Sequence, residues 1–308
     1  MFSYIKIQLT ANLEKRIKMK LLSLVTFIWA FSFSFIGVYL AGKLDSYFAV
    51  LIRVAFASLI FIPFTNFRLP NRFKLKIMGI GIVQIGMMYI FFYKSFLFLS
   101  VPEVLLFTIF TPLYVTVTYD LLKGKFNPLY LLTAGLAVTG AYVIKSSHIN
   151  EGFFTGFMMV QGANICFALG QVLYKKLLEN DELKDIKQST IFGYFHFGAL
   201  AISAVAFLLF GNTAKITPDV TQWAVLIWLG VVASGLGYFL WNRGATQVDS
   251  GILAIMNNAV VPLGLIVNFL LWGQNINYTN LIIGGGLIIA ALYIHKIIIE
   301  RSQRNMAL

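Results

Sequence analysis

The stretch TPLYVTVTYDLLKGKFNPLYLLTAGLAVTGAYVI at 111–144 returns, diverged, as VPLGLIVNFLLWGQNINYTNLIIGGGLIIAALYI at 261–294. The two align without a gap at a constant offset of 150 positions, which sets Pro112 on Pro262, Leu121 on Leu271, Asn127 on Asn277, Gly135 on Gly285 and Ala141 on Ala291. One unit is therefore written twice. If each unit crosses a membrane an odd number of times, the second copy lies upside down relative to the first. Inverted repeats of this kind build machines with two interchangeable openings around a site at the membrane midplane.

The composition names a membrane as the solvent. The chain is 59% hydrophobic, carries 12% charged residues and contains 29 Phe, against about 25% charge in a soluble domain. Its apolar runs approach the ~20 residues that a helix needs to cross hydrocarbon. Ten spans are predicted, at about 20–40, 46–64, 75–94, 101–120, 129–146, 153–173, 189–210, 222–242, 251–272 and 280–299. A core helix of a soluble protein can imitate one such run, but not ten. The predicted class is an all-α integral membrane protein. The segment 87–110 is almost continuously apolar, so the boundary between the third and fourth spans is soft.

Charge is distributed with a purpose. The net charge is +12, which by itself would admit nucleic acid as a partner. Assigned to alternate loops, however, 19 of the 24 Lys and Arg fall on one side. Only Lys43, Lys94, Lys145 and Lys215 fall on the other, and Arg53 lies within a span. That is the positive-inside bias of a membrane protein with both termini cytoplasmic, and nucleic acid becomes unnecessary. Lys15, Arg16, Lys18 and Lys20 before the first apolar run mimic a signal peptide, but the run is too long for one and leads into further spans. The single Cys166 falls inside the sixth span, so no disulfide framework exists. Ten spans with both ends inside give five per copy, and the repeat is inverted. The expected parts are a cytoplasmic segment at 1–18, repeats at 19–146 and 153–299, and a cytoplasmic tail at 300–308. The link 174–188 is a short charged tether.

Further marks accompany this duplication: Trp29-Ala30 in the first span, Phe167-Ala168 in the sixth, Arg53 in the second, Pro112 and Pro262 in the fourth and ninth, and glycines 135, 140 and 284–286. In this combination the chain resembles the drug/metabolite transporter superfamily, and within it the EamA-type ten-helix members. The resemblance covers about residues 19–299. It implies secondary transport of small metabolites, with amino acids or related compounds expected first. Members often carry Gly-Glu after the fourth and ninth spans. Here those places read Gly124-Lys125 and Gly273-Gln274, so a role for that acid is lacking.

Polar residues in mid-membrane face a cavity or a neighbouring helix, because facing lipid is costly. Gln161, Asn164 and Gln171 share one face of the sixth span with Ala168, within about 80° at 100° per residue. Asn257 shares a face of the ninth span with Gly264 and Asn268, and Asn258 is its neighbour. Pro262 withholds a donor from the carbonyl of Asn258, and Pro112 does the same to that of Thr108. Both helices are thus expected to kink and to free a carbonyl. Thr108 and Thr111 add hydroxyls. Trp29, Tyr238 and Trp241 are aromatic candidates for a pocket, though Trp241 near a span end also suits an interface anchor. Gln84 and Met88 can supply an adaptable wall. Gly230, Ser234, Gly237 and Trp241 form a face of mostly small residues fit for close packing. Arg53 can pair with a substrate carboxylate or snorkel outward. His196 titrates near neutrality in water, which makes it a coupling candidate beside the plainer reading of a hydrogen-bonded structural residue.

The expected function is therefore alternating access around a cavity between the repeats, with a small polar or amphipathic metabolite as substrate and the inner membrane as location. A proton, a counter-substrate or facilitated diffusion can each drive such a carrier, in either direction. A membrane enzyme would need paired carboxylates, a metal set or an activated nucleophile. The three histidines (His148, His196, His295) lie on separate segments, and no cofactor is called for. A non-transporting receptor or scaffold is the other rival. Besides its metabolite, the expected partner is membrane lipid.

Overall fold

A computed structural model describes residues 20–122, 151–179, 186–248 and 250–273 continuously, with Leu183 and scattered positions in 124–143 and 279–298. Every regular element among them is helical. Among the described residues, seven helices are long and apolar enough to cross a membrane: Lys20–Leu40, Ser46–Phe64, Asn71–Ser95, Val101–Leu122, Gly152–Leu178, Gln188–Phe210 and Val220–Ala245. They are numbered here as spans 1 to 4 and 6 to 8. Span 9 is the helix Ser250–Trp272. The described positions from 129 to 143 and from 279 to 298 are mostly helical and correspond to spans 5 and 10. Much of both lies outside the described residues, as do the segments 1–18 and 300–308.

Local chemistry sets the helix starts. Asp45 caps span 2 by accepting the Phe48 N–H at 2.8 Å. Span 4 begins with a capping box, in which the Ser100 N–H donates to Glu103 Oε2 at 2.8 Å. This cap resolves the soft boundary in 87–110: span 3 ends at Ser95 and span 4 starts at Val101. Span 8 has the same device, Asp219 paired with Gln222. Side-chain oxygens thus satisfy amide groups that a helix start leaves bare.

The connections confirm how the spans alternate. The link after span 1 meets the link before span 8 through Asp45 N–H to the Lys215 carbonyl, 2.9 Å, and Lys215 Nζ to the Gly42 carbonyl, 3.1 Å. At the other end, Asn66 N–H bonds the Thr190 carbonyl at 2.8 Å, and Lys175 Nζ bonds the Val248 carbonyl at 3.3 Å. Links after odd-numbered spans gather on one side and links after even-numbered spans on the other. Capped starts of spans 2, 4 and 8 all lie at the former end.

The two repeats interleave. Span 3 packs along spans 6 and 7, and span 8 along spans 1 and 2, as exchange of the repeats requires. Both spans 3 and 8 widen into π-helical turns, at Ile82–Met87 and Leu229–Leu236. These overlap when shifted by 150 positions. Such turns often mark functional places. Close approach depends on two glycines: a Cβ on Gly81 would run into the backbone of Phe195, and one on Gly198 into that of Met78. Spans 3 and 7 therefore touch backbone to backbone, as small residues permit in membranes.

Gly198→Leu should cost at least the ~1–3 kcal/mol of overpacking, because backbone cannot step aside. Gly79→Ala, with open space at its Cβ, should be neutral or stabilising by up to ~1 kcal/mol. Thermal unfolding and size-exclusion profiles of the purified protein check both.

Candidate functional site

Residues of spans 1, 2, 3, 4, 6, 8 and 9 line a cavity in the middle of the bundle. One wall is aromatic. The Trp29 ring lies 4.9 Å from Trp241, 5.0 Å from Tyr238 and 6.0 Å from Phe167, centre to centre. Trp29 is aimed by its indole N–H, which donates to the Ala233 carbonyl at 2.9 Å within the π turn of span 8. Gly237 leaves room for the indole edge. Trp241 is only 1% exposed, so it is a wall of the cavity and not an interface anchor.

A single positive charge stands at this cavity. Arg53 is 2% exposed and does not snorkel. Its Nε donates to Ser234 Oγ at 2.6 Å and its Nη1 to the Tyr93 hydroxyl at 3.2 Å. The guanidinium carbon sits 4.0 Å above the Tyr89 ring, a distance at which the ring quadrupole stabilises a cation. Tyr89 and Ser234 also bond each other at 2.8 Å. Every one of these partners is neutral, and no carboxylate lines the cavity among the described residues. Burying a charge without a counter-charge costs several kcal/mol, and here the hydroxyls and the ring face take the place of an acid.

The opposite wall is a broken helix. Span 4 passes through a 3₁₀ turn at Thr108–Phe110 before resuming at Thr111. Pro112 sits just inside the resumed helix, where its missing N–H matters least. The carbonyl of Thr108, expected to be free, is taken by Thr111 Oγ1 at 2.7 Å. Asn164 of span 6 braces the break. Its Nδ2 donates to the Phe107 carbonyl at 2.8 Å, and its Oδ1 accepts from Thr111 at 3.3 Å. Thr111 and Asn164 thus line the cavity while holding span 4 in shape. Pro262 acts differently, because span 9 continues unbroken through it and its ring is exposed. Asn257, near the start of span 9, reaches the cavity with an amide Nδ2 that has no partner among the described residues. Met88 completes this side.

Four expected residues lie elsewhere. Gln84 and Gln171 sit beyond the cavity wall: Gln84 donates to Asn242 Oδ1 at 3.0 Å, and Gln171 accepts from the Trp241 indole at 2.9 Å. Asn258 is not among the residues that line the cavity. His196 is fully buried and stacked on Phe61 at 5.3 Å, with Phe192 and Phe195 around it. Neither ring nitrogen has a hydrogen-bond partner among the described residues, so the expected hydrogen bond is missing.

Several residues of the cavity and of the Arg53 cluster escaped sequence reasoning. Thr26, Ser32 and Phe33 of span 1 join Trp29, and Thr26, Trp29 and Ser32 recur every third position, a spacing that places them on one face. Tyr89 and Tyr93, four apart in span 3, could have been found by the same rule. Ser234 was read only as a small packing residue.

Comparisons with known proteins agree with this architecture. The model of the EamA-like transporter family matches residues 17–146 and again 154–295. A protein named biotin transporter from Escherichia coli K12 is 46% identical over 90% of this chain and 93% of its own length. A probable biotin transporter from Pseudomonas aeruginosa is 46% identical over 91% and 98%. More distant is a probable amino-acid metabolite efflux pump of Salmonella typhimurium, 26% identical over 52% of this chain and 55% of its own length. A solved crystal structure shares the fold at a TM-score of 0.62 and 15% identity, covering 92% of this chain and 97% of its own. Both matched segments, the all-helical bundle and the central cavity lead to one conclusion: the chain belongs to the EamA-like transporter family, multi-pass membrane proteins that move small metabolites.

Proposed function

We propose that the substrate is biotin, carried by alternating access around the central cavity with its carboxylate at Arg53. The observation that carries this reading is the buried guanidinium, held only by neutral partners beside an aromatic wall. Biotin has a carboxylate at one end, an aliphatic chain, and a fused ring bearing a sulfur and an uncharged urea at the other. Arg53 suits the first, the Trp29–Trp241–Phe167 wall suits the chain and ring, and the amide of Asn257 suits the urea. The names of the relatives that align over nine-tenths of the chain support the same substrate. An amino acid fits less well, because its ammonium would meet no carboxylate in the cavity among the described residues. The positive-inside count and the bacterial relatives support an inner-membrane location with both termini cytoplasmic. Thr111 and Asn164 shape the cavity and His196 packs the bundle.

Proteoliposomes loaded with purified protein should take up or exchange labelled biotin. Failure to move biotin while moving an amino acid would overturn the reading. Arg53→Gln should lower biotin flux by about 10–150-fold, the equivalent of the ~1.5–3 kcal/mol in a hydrogen bond to a charged group. It should also abolish the rise in melting temperature that a ligand of the folded state produces. Biotinamide, which lacks the negative charge, should compete with wild-type transport more weakly by the same factor. Arg53→Lys should rescue only part of the flux, because an ammonium cannot reproduce the planar fork.

His196→Leu should leave biotin flux within about twofold of wild type at every point between about pH 5 and 8, the window in which histidine ordinarily titrates. A flattened or displaced pH profile would restore His196 as a coupling group.

A further inference from the structure

Three amide side chains form a second polar cluster behind Trp241, outside the cavity. Gln84 comes from the π turn of span 3, Gln171 from the last two turns of span 6 and Asn242 from the last turn of span 8. Exposure of the three is 0%, 2% and 1%. Gly170 draws them together, because a Cβ there would collide with Gln84 itself. Each amide is only half used. The indole N–H of Trp241 can only donate, so it takes the oxygen of Gln171 and leaves Nε2 without a partner among the described residues. Gln84 and Asn242 bond each other through one nitrogen and one oxygen. Whichever way round the pair is set, it leaves one acceptor and one donor unmatched, here Gln84 Oε1 and Asn242 Nδ2. Three orphaned atoms this deep in a membrane bundle are costly as packing. Apolar side chains would pack as well without that cost.

The orphans sum to two donors and one acceptor. A urea presents the complement: a carbonyl with two lone pairs, and N–H groups. The cluster also lies on an axis with the cavity. Arg53 sits in the second turn of span 2, toward the capped ends of spans 2, 4 and 8, whereas Gln171 and Asn242 sit near the opposite ends of their helices. Trp241 stands between, lining the cavity on one side and latched to Gln171 on the other.

The geometry points to Gln84, Gln171 and Asn242 as a second subsite, which takes the uncharged urea end of the substrate once Trp241 swings off its latch. This rests on the biotin reading and adds to it the step by which the substrate leaves the central cavity. Trp241 is then the gate between two stations, the first reading charge and the second reading a neutral hydrogen-bonding group.

Lipoate supplies the test, because it shares the valerate carboxylate and a sulfur ring but has no urea. The ratio of biotin to lipoate flux in proteoliposomes is measured for wild type, Asn242→Leu and Gln84→Met. The expected result is a fall in the ratio of about tenfold or more in each variant, the loss that buried hydrogen bonds carry, with lipoate flux within about twofold and melting temperature unchanged or raised. A ratio unchanged in both variants while wild type moves biotin overturns the subsite alone. A wild type that moves no biotin overturns the transport reading and the subsite with it. Gln84→Met, which keeps the length of its side chain, carries the test alone should Asn242→Leu not accumulate.

Discussion

A positive charge held in the middle of a membrane bundle constrains everything around it. Arg53 cannot reach water and has no acidic neighbour among the described residues, so its surroundings must disperse the charge with hydroxyls and a ring face. Those groups come from both repeats: Tyr89 and Tyr93 from span 3, Ser234 from span 8. The guanidinium therefore sets where these helices lie against span 2. The π turn of span 8 follows from the same demand, because it presents Ser234 to Arg53 and the Ala233 carbonyl to Trp29 at once. A helix of ordinary pitch would rotate one of those two groups away.

Around that asymmetric centre the scaffold is symmetric. Exchange of the repeats maps the packing of span 3 on spans 6 and 7 onto that of span 8 on spans 1 and 2. The chemistry does not follow the exchange. Position 84 is a glutamine and position 234 a serine, and span 4 breaks near its proline while span 9 runs through. Duplication supplied two equivalent scaffolds, and their side chains have since diverged.

Much of this was legible in the sequence, and the failures have physical causes. The 150-residue echo and the charge bias reveal the architecture because both depend on periodicity and on loop position, which a linear text preserves. Trp29, Thr111, Asn164, Tyr238, Trp241 and Asn257 stand out because polar and aromatic groups are scarce in mid-span. Sequence could not tell which side of a wall a polar residue would occupy: Gln84 and Gln171 carry the same signal as Asn164 yet lie behind Trp241. The π turns defeat angular arithmetic, since an added residue shifts every later side chain by about 100°. That is why Ser234 read as a spacer. The fate of Arg53 turned on Tyr89 and Tyr93, which offer it a ring face and a hydroxyl on the inward route. Pro112 misled in a smaller way, because a threonine one position earlier satisfies the carbonyl that it strands.

The glycine contacts between spans 3 and 7 have a mechanical meaning. Gly81 and Gly198 bring two backbones together with no side chain between them, and such a joint tolerates sliding but not separation. It ties a helix of the first repeat to one of the second, and Gly230 does the same by resting on the Arg53 carbonyl and Phe56 of span 2. Spans 2, 3, 7 and 8 thus make a welded frame that crosses the boundary of the duplication. A movement that kept these contacts would have to pivot on that frame, with its hinge lines inside the repeats and not between them. The unit of duplication and the unit of close backbone contact are different objects.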